Sequence, residues 1–111
     1  MQILKTKMSK QCKNGTIKTE YLLEGPVTMN ILDYFRNFGN VSLIKNLEPP
    51  FYTFEKPGRF TIKGLLDDRK VYVLYGKEHH EISKKYVSVL FDSYDPEIPA
   101  IEKVVALEGK I

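Results

Sequence analysis

Tryptophan is absent from this chain and cysteine occurs once, at Cys12. A lone cysteine cannot form an internal disulfide, so a reducing compartment is expected. As a nucleophile it would need a base brought close by the fold, and a single thiol usually behaves as a small apolar residue. No apolar run approaches the ~18 residues of a membrane span. Residues Met1 to Met8 lack the long apolar core of a secretory signal. These absences predict a soluble, cytoplasmic protein with no membrane partner. Glycines 58, 64 and 76 match no phosphate-loop spacing, and there is no internal repeat, low-complexity tract or linker.

A strong charge of one sign is also missing. The formal net charge of +3 is too small to imply nucleic acid by itself, although Lys5, Lys7, Lys10, Lys13 and Lys18 all precede the first acid, Glu20. Asp92, Asp95, Glu97, Glu102 and Glu108 tilt the C-terminal part the other way. What is present is ordinary for a folded protein: 111 residues, 42% hydrophobic and 28% charged. That predicts a single domain over 1–111 with a core large enough to need no metal or disulfide staple, and it argues against disorder.

The stretch from Phe60 to Phe91 organises the rest. Val71, Val73 and Tyr75 alternate with Lys70, Tyr72 and Leu74, and Val87, Val89 and Phe91 alternate with Tyr86, Ser88 and Leu90. Period-two patterning rich in β-branched and aromatic residues predicts strands. Phe60 to Leu65 reads as another, joined to Lys70–Tyr75 across Leu66-Asp67-Asp68-Arg69, where aspartate suits a turn. Short links between successive strands predict an antiparallel three-stranded meander.

Before the meander, Asn14-Gly15 is a type I′ hairpin signal. A two-residue loop sets Lys13 opposite Thr16, Cys12 opposite Ile17 and Met8 opposite Tyr21. The N-terminal lysines then protect an edge strand. Pro26 to Phe38 reads as an amphipathic helix with Thr28, Ile31, Leu32, Phe35 and Phe38 on one stripe, Pro26 at its first position and Gly39 as a left-handed cap. Val41 to Lys45 and Phe51 to Glu55 read as short strands around a proline-bearing bend, Asn46 to Pro50. Lys56-Pro57-Gly58 reads as a type II turn. Asp95-Pro96 opens a last helix, with Ile98, Ile101, Val104 and Val105 as its apolar stripe, its start displaced if Pro99 is to be accommodated, and Gly109 at its end.

These elements predict an α+β fold, a two-layer sandwich in which an antiparallel sheet of six to seven strands carries two helices on one face. From about Thr16 onward, this succession resembles one half of the TATA-binding-protein fold. Length and the added N-terminal hairpin also resemble an uncharacterised family of small archaeal proteins with that fold. The resemblance is topological and carries no residue motif. DNA-binding members hold two halves in tandem and wedge aromatic residues into the minor groove. One half is present here, so a saddle would require two chains, and no functional residue transfers.

With helices on one face, the other presents Lys63, Leu65, Lys70, Tyr72, Leu74, Tyr86 and Leu90, too apolar for an ordinary solvated face. An apolar patch with aromatic anchors and a charged rim suits a protein partner, a homodimer or a ligand groove. The competing explanations are coverage by the N-terminal hairpin or a barrel-like curl. Tyrosines among lysines could instead stack bases while lysines meet phosphates, a nucleic-acid-binding module. Lys77-Glu78-His79-His80-Glu81 offers the ingredients of a small metal-dependent enzyme. Adjacent histidines diverge on strand or helix and match no established zinc spacing, so a solvated hairpin loop is the plainer reading. The reading is a non-enzymatic binding domain, without cofactor, acting through its sheet face.

Overall fold

The computed structural model describes residues 1–11 and 15–111, with the side chains of residues 8–10 left aside. Six strands form one open antiparallel sheet: β1 (Ile3–Gln11), β2 (Ile17–Leu23), β3 (Asn40–Ile44), β4 (Phe51–Lys56), β5 (Phe60–Leu65) and β6 (Lys70–Tyr75). Their order is β1-β2-β6-β5-β4-β3. Three helices, α1 (Met29–Phe35), α2 (His80–Asp92) and α3 (Ile101–Glu108), complete the α+β sandwich.

Alternation along the strands decides which face meets the helices. Tyr21 and Leu23, Tyr52 and Phe54, Phe60 and Ile62, and Val71, Val73 and Tyr75 are buried in one cluster with side chains of all three helices. Burial of this aromatic-rich set, at roughly 25 cal/mol per Å² of apolar surface, is the main force holding the two layers together. Phe35 bridges them, its ring centroid 4.9 Å from that of Phe54 and 5.7 Å from that of Phe91. Tyr34 Oη donates to the Leu90 carbonyl at 2.7 Å and ties α1 to α2.

The expected strand at Tyr86–Phe91 is instead the second half of α2. The buried residues of this segment are Ser83, Tyr86, Val87, Leu90 and Phe91, a three-and-four spacing, with Lys84, Lys85, Ser88 and Asp92 exposed between them. The helical period runs over thirteen residues, whereas the strand period seen in Val87, Val89 and Phe91 covers only five. The sheet therefore has six strands and three helices cover it. The Lys77–Glu81 segment, read as a hairpin loop, links β6 to α2 and supplies its first turn.

The turns around β5 follow the expected chemistry. Gly58 has φ 75° and Arg59 N donates to the Lys56 carbonyl at 2.9 Å, while Asp67 takes φ 66° in the β5–β6 turn. The helix at Pro26–Phe38 is shorter than expected. Thr28 is its N-cap, because residues before it bond to the β5–β6 turn: Val27 N to the Asp68 carbonyl and Asp67 N to the Val27 carbonyl. Pro26 therefore lies outside the helix. Gly39 is not a left-handed cap either. A Cβ there would meet the Glu55 carbonyl oxygen at 2.6 Å and the Phe54 ring at 2.8 Å, so close approach to β4 excludes a side chain.

The last helix begins later than Asp95-Pro96. Asp95 Oδ1 accepts the amides of Glu97 at 2.8 Å and Ile98 at 3.1 Å, closing a local turn and holding its carboxyl below the usual range. Ile98 (84% exposed) and Val105 (52%) lie outside the buried stripe, which is Val104 and Leu107. The Asn14 turn and the pairing expected for Cys12 and Lys13 lie outside the described residues. Farther along β1, Tyr21 faces Thr6 rather than Met8, and Ile17 faces Gln11. The register already differs from the expected one at Gln11, and a bulge between Lys7 and Lys10 displaces it further.

Candidate functional site: the helix-free sheet face

The side chains that alternate with the core set project from the face opposite the helices. Strand pairing arranges them in cross-strand rows. The central row runs Ser42, Thr53, Lys63, Tyr72, Glu20, Lys7 from β3 to β1. One step along the strands lies Asn40, Glu55, Thr61, Leu74, Lys18. On the other side, Ile44, Phe51 and Leu65 approach the β5–β6 turn from one side, and Lys70, Leu22 and Lys5 from the other. Neighbours within a row stand about 4.8 Å apart and rows about 6.8 Å apart.

Of the expected face residues, Lys63, Leu65, Lys70, Tyr72 and Leu74 are here, exposed or half-buried. Tyr86 and Leu90 are not. Both are wholly buried on α2, within the core. Tyr86 Oη donates to Glu108 Oε1 at 2.5 Å, and Lys56 Nζ binds Glu108 Oε2 at 2.5 Å, so this tyrosine anchors α3. The patch is thereby less greasy than expected. The hairpin does not fold over it, since β1 and β2 extend the sheet edgewise beside β6. Nor does the sheet close, with β1 and β3 at its two ends.

Five residues missed in the sequence complete the surface: Lys5, Lys7, Lys18, Leu22 and Phe51. Their period-two spacing was visible, but the pairing of β2 with β6, which sets residues 17–22 beside residues 70–75, was not. The basic part spans β1, β2, β6 and β5. There, among the described side chains, Lys5, Lys7, Lys18, Lys63 and Lys70 face a single acid, Glu20. A depression of about 150 Å³ at its centre is lined by Lys18, Phe51, Lys63, Tyr72 and Leu74. A broader one of about 460 Å³ lies between Lys5, Thr6, Lys7, Glu20, Leu22 and Lys70. Lys18 Nζ stands 4.7 Å from the centroid of the Tyr72 ring, a cation–π contact at the surface.

The two histidines part company. His79 is exposed and left-handed at φ 60°. His80 turns its ring edgewise to Tyr75 at 5.0 Å, its Nε2 buried without a hydrogen-bond partner among the described residues. No group of three histidine, cysteine, aspartate or glutamate side chains able to hold a metal ion occurs among the described residues. Nor is any helix among them long and apolar enough to cross a membrane. No protein-family model matches the chain, and neither a curated protein nor a solved structure matches it at a significant level.

Proposed function

We propose that this chain is a non-catalytic binding domain whose helix-free sheet face, over β1, β2, β6 and β5, receives an anionic partner. The observation that carries the reading is the β2–β6 pairing, which gathers five lysines around Tyr72 on the face that no helix covers. Clustered charge of one sign on a surface raises the local concentration of oppositely charged partners and steers their encounter. A second copy of the chain is a poor occupant face to face, because lysines would meet lysines. What favours binding over catalysis is the separation of His79 from His80, which leaves the Lys77–Glu81 segment without a convergent site. The likeness to half of the TATA-binding-protein fold belongs to the same proposal and rests on element order alone.

The test is retention on a polyanionic heparin column. The variant K18E/K63E/K70E alters side chains outside the core, so its thermal melt should match the parent protein. Its elution should fall to much lower salt. Elution of both proteins at the same salt would remove the sheet face as the anion-binding surface.

A further inference from the structure

Resting on that reading, we propose that the partner is a single-stranded nucleic acid, with a base stacked on Tyr72 and phosphates held by Lys18, Lys63 and Lys70. Two features of the face select this occupant over an acidic protein segment.

The first is the kind of cation. Among the described side chains, the five cations of the basic face are all lysines. Of the three arginines, Arg36 pairs with Asp33 at the end of α1, Arg69 Nε donates to the Leu23 carbonyl at 3.1 Å, and Arg59 lies at the β4–β5 turn, at the margin of the face, where it lines a depression with Thr61 and Leu74. The arginine fork matches carboxylate and phosphate alike, so what discriminates is that protein interfaces are enriched in arginine and depleted of lysine. Phosphates accept lysine as a point charge, without a directional fork.

The second is where the aromatic rings stand. Tyr72 and Phe51 line the same depression as Lys18 and Lys63. Lys18 Nζ from the neighbouring strand stands over the Tyr72 ring, so that face lies at the surface rather than in the core, and a stacked base takes the place of the lysine as it turns to a phosphate. Nucleobases stack on such rings, and every base has a π-face to offer. In a duplex those faces are already stacked, so the same ring selects single strands. Lys7 and Lys63 are three strands apart, about 14 Å, and the rows from Lys5 to Lys18 span a similar length. A four-stranded platform of this size takes about two or three bases. Glu20, between Tyr72 and Lys7 in the central row, keeps phosphate off that position and directs the backbone along the flanking lysines.

Fluorescence anisotropy with a short labelled oligo-dT tests this against an abasic deoxyribose-phosphate strand, a duplex and poly-glutamate. Oligo-dT should bind more tightly than the other three. Tyr72→Ala should weaken it about 5- to 150-fold, the range of one stacked base, and Tyr72→Phe should restore it. Each lysine changed to glutamine should flatten the salt dependence by about 0.7 per lost phosphate contact. Equal affinity for the abasic strand, or displacement by poly-glutamate at equal charge, would overturn the nucleic-acid assignment while leaving the anionic face intact. No binding to any of the four, together with unaltered heparin elution in the triple variant, would remove both. If Tyr72→Ala fails to fold, the comparison of oligo-dT with the abasic strand on the parent protein decides.

Discussion

The ring of Tyr52 lies where a side chain at Gly64 would have to go: a Cβ on Gly64 would stand 2.7 Å from Tyr52 Oη and 3.0 Å from its Cζ. The two residues are directly paired between β4 and β5, and Tyr52 is wholly buried. Glycine is therefore kept at this strand position for space, its φ being unremarkable for any residue.

Gly64→Ala should lower stability by about 1–3 kcal/mol, the usual effect of one surplus carbon in a filled core. Tyr52 Oη has no hydrogen-bond partner among the described residues. Tyr52→Phe alone should thus be close to neutral, and in the Gly64→Ala background it should recover part of the loss. Urea unfolding of the four proteins checks this; a double variant no more stable than Gly64→Ala would refute the steric account.

Alkali should unfold this protein cooperatively. Burial raises the hydroxyls of Tyr21, Tyr34, Tyr52, Tyr75 and Tyr86 above the ordinary 10.0, and hydrogen bonding with Glu108 adds to the effect at Tyr86. Above that pH the unfolded chain has lost phenolic protons that the native chain retains, so stability present below pH 10 declines as pH rises. Each such tyrosine steepens the decline by up to about 1.4 kcal/mol per pH unit. Tyrosinate absorbance and far-ultraviolet dichroism should change together; ionisation of these tyrosines with the fold intact would contradict the prediction.

Glu108 should be the residue that holds α3 down. Its two carboxylate oxygens meet Tyr86 Oη and Lys56 Nζ, the latter also bonded to the Phe38 carbonyl at 2.7 Å. Glu108→Ala strands both partners and should cost about 1–3 kcal/mol. Glu108→Gln keeps an acceptor for Tyr86 and should cost less. Hydrogen exchange should report the loosening at Val104 and Leu107 first; equal losses in β6 would argue against a local anchor.

Ser88 tests the helical assignment of α2 by the sign of its effect. It is exposed at mid-helix, so Ser88→Ala should stabilise by a few tenths of a kcal/mol and Ser88→Pro should cost about 3 kcal/mol. Were this segment a strand, alanine would be the weaker residue there and threonine the better one. Thermal melts of the alanine and threonine variants settle the order.

Much of the sheet was readable because its cues are local. The alternation in Lys70–Tyr75, the glycine after Pro57 and the aspartates before Arg69 each act over a few residues, and each is found where expected. Tyr86–Phe91 misled because valine and phenylalanine serve strand and helix cores alike, and the deciding spacing began at Ser83, outside the window that looked extended. The site was half legible for a different reason. Lys63, Leu65, Lys70, Tyr72 and Leu74 come from one hairpin, whereas Lys5, Lys7 and Lys18 join them through a non-local pairing that no short-range pattern announces.

That non-local pairing also governs when the surface exists. The residues from Glu24 to Arg69 lie between β2 and β6 and must close as a loop before Lys18 can stand over Tyr72. Neither the amino-terminal hairpin nor the β5–β6 hairpin presents the assembled array. The array is therefore an all-or-none attribute of the completed molecule, and the binding proposed for it would vanish on the first cooperative step of unfolding, ahead of any loss of local hairpin structure.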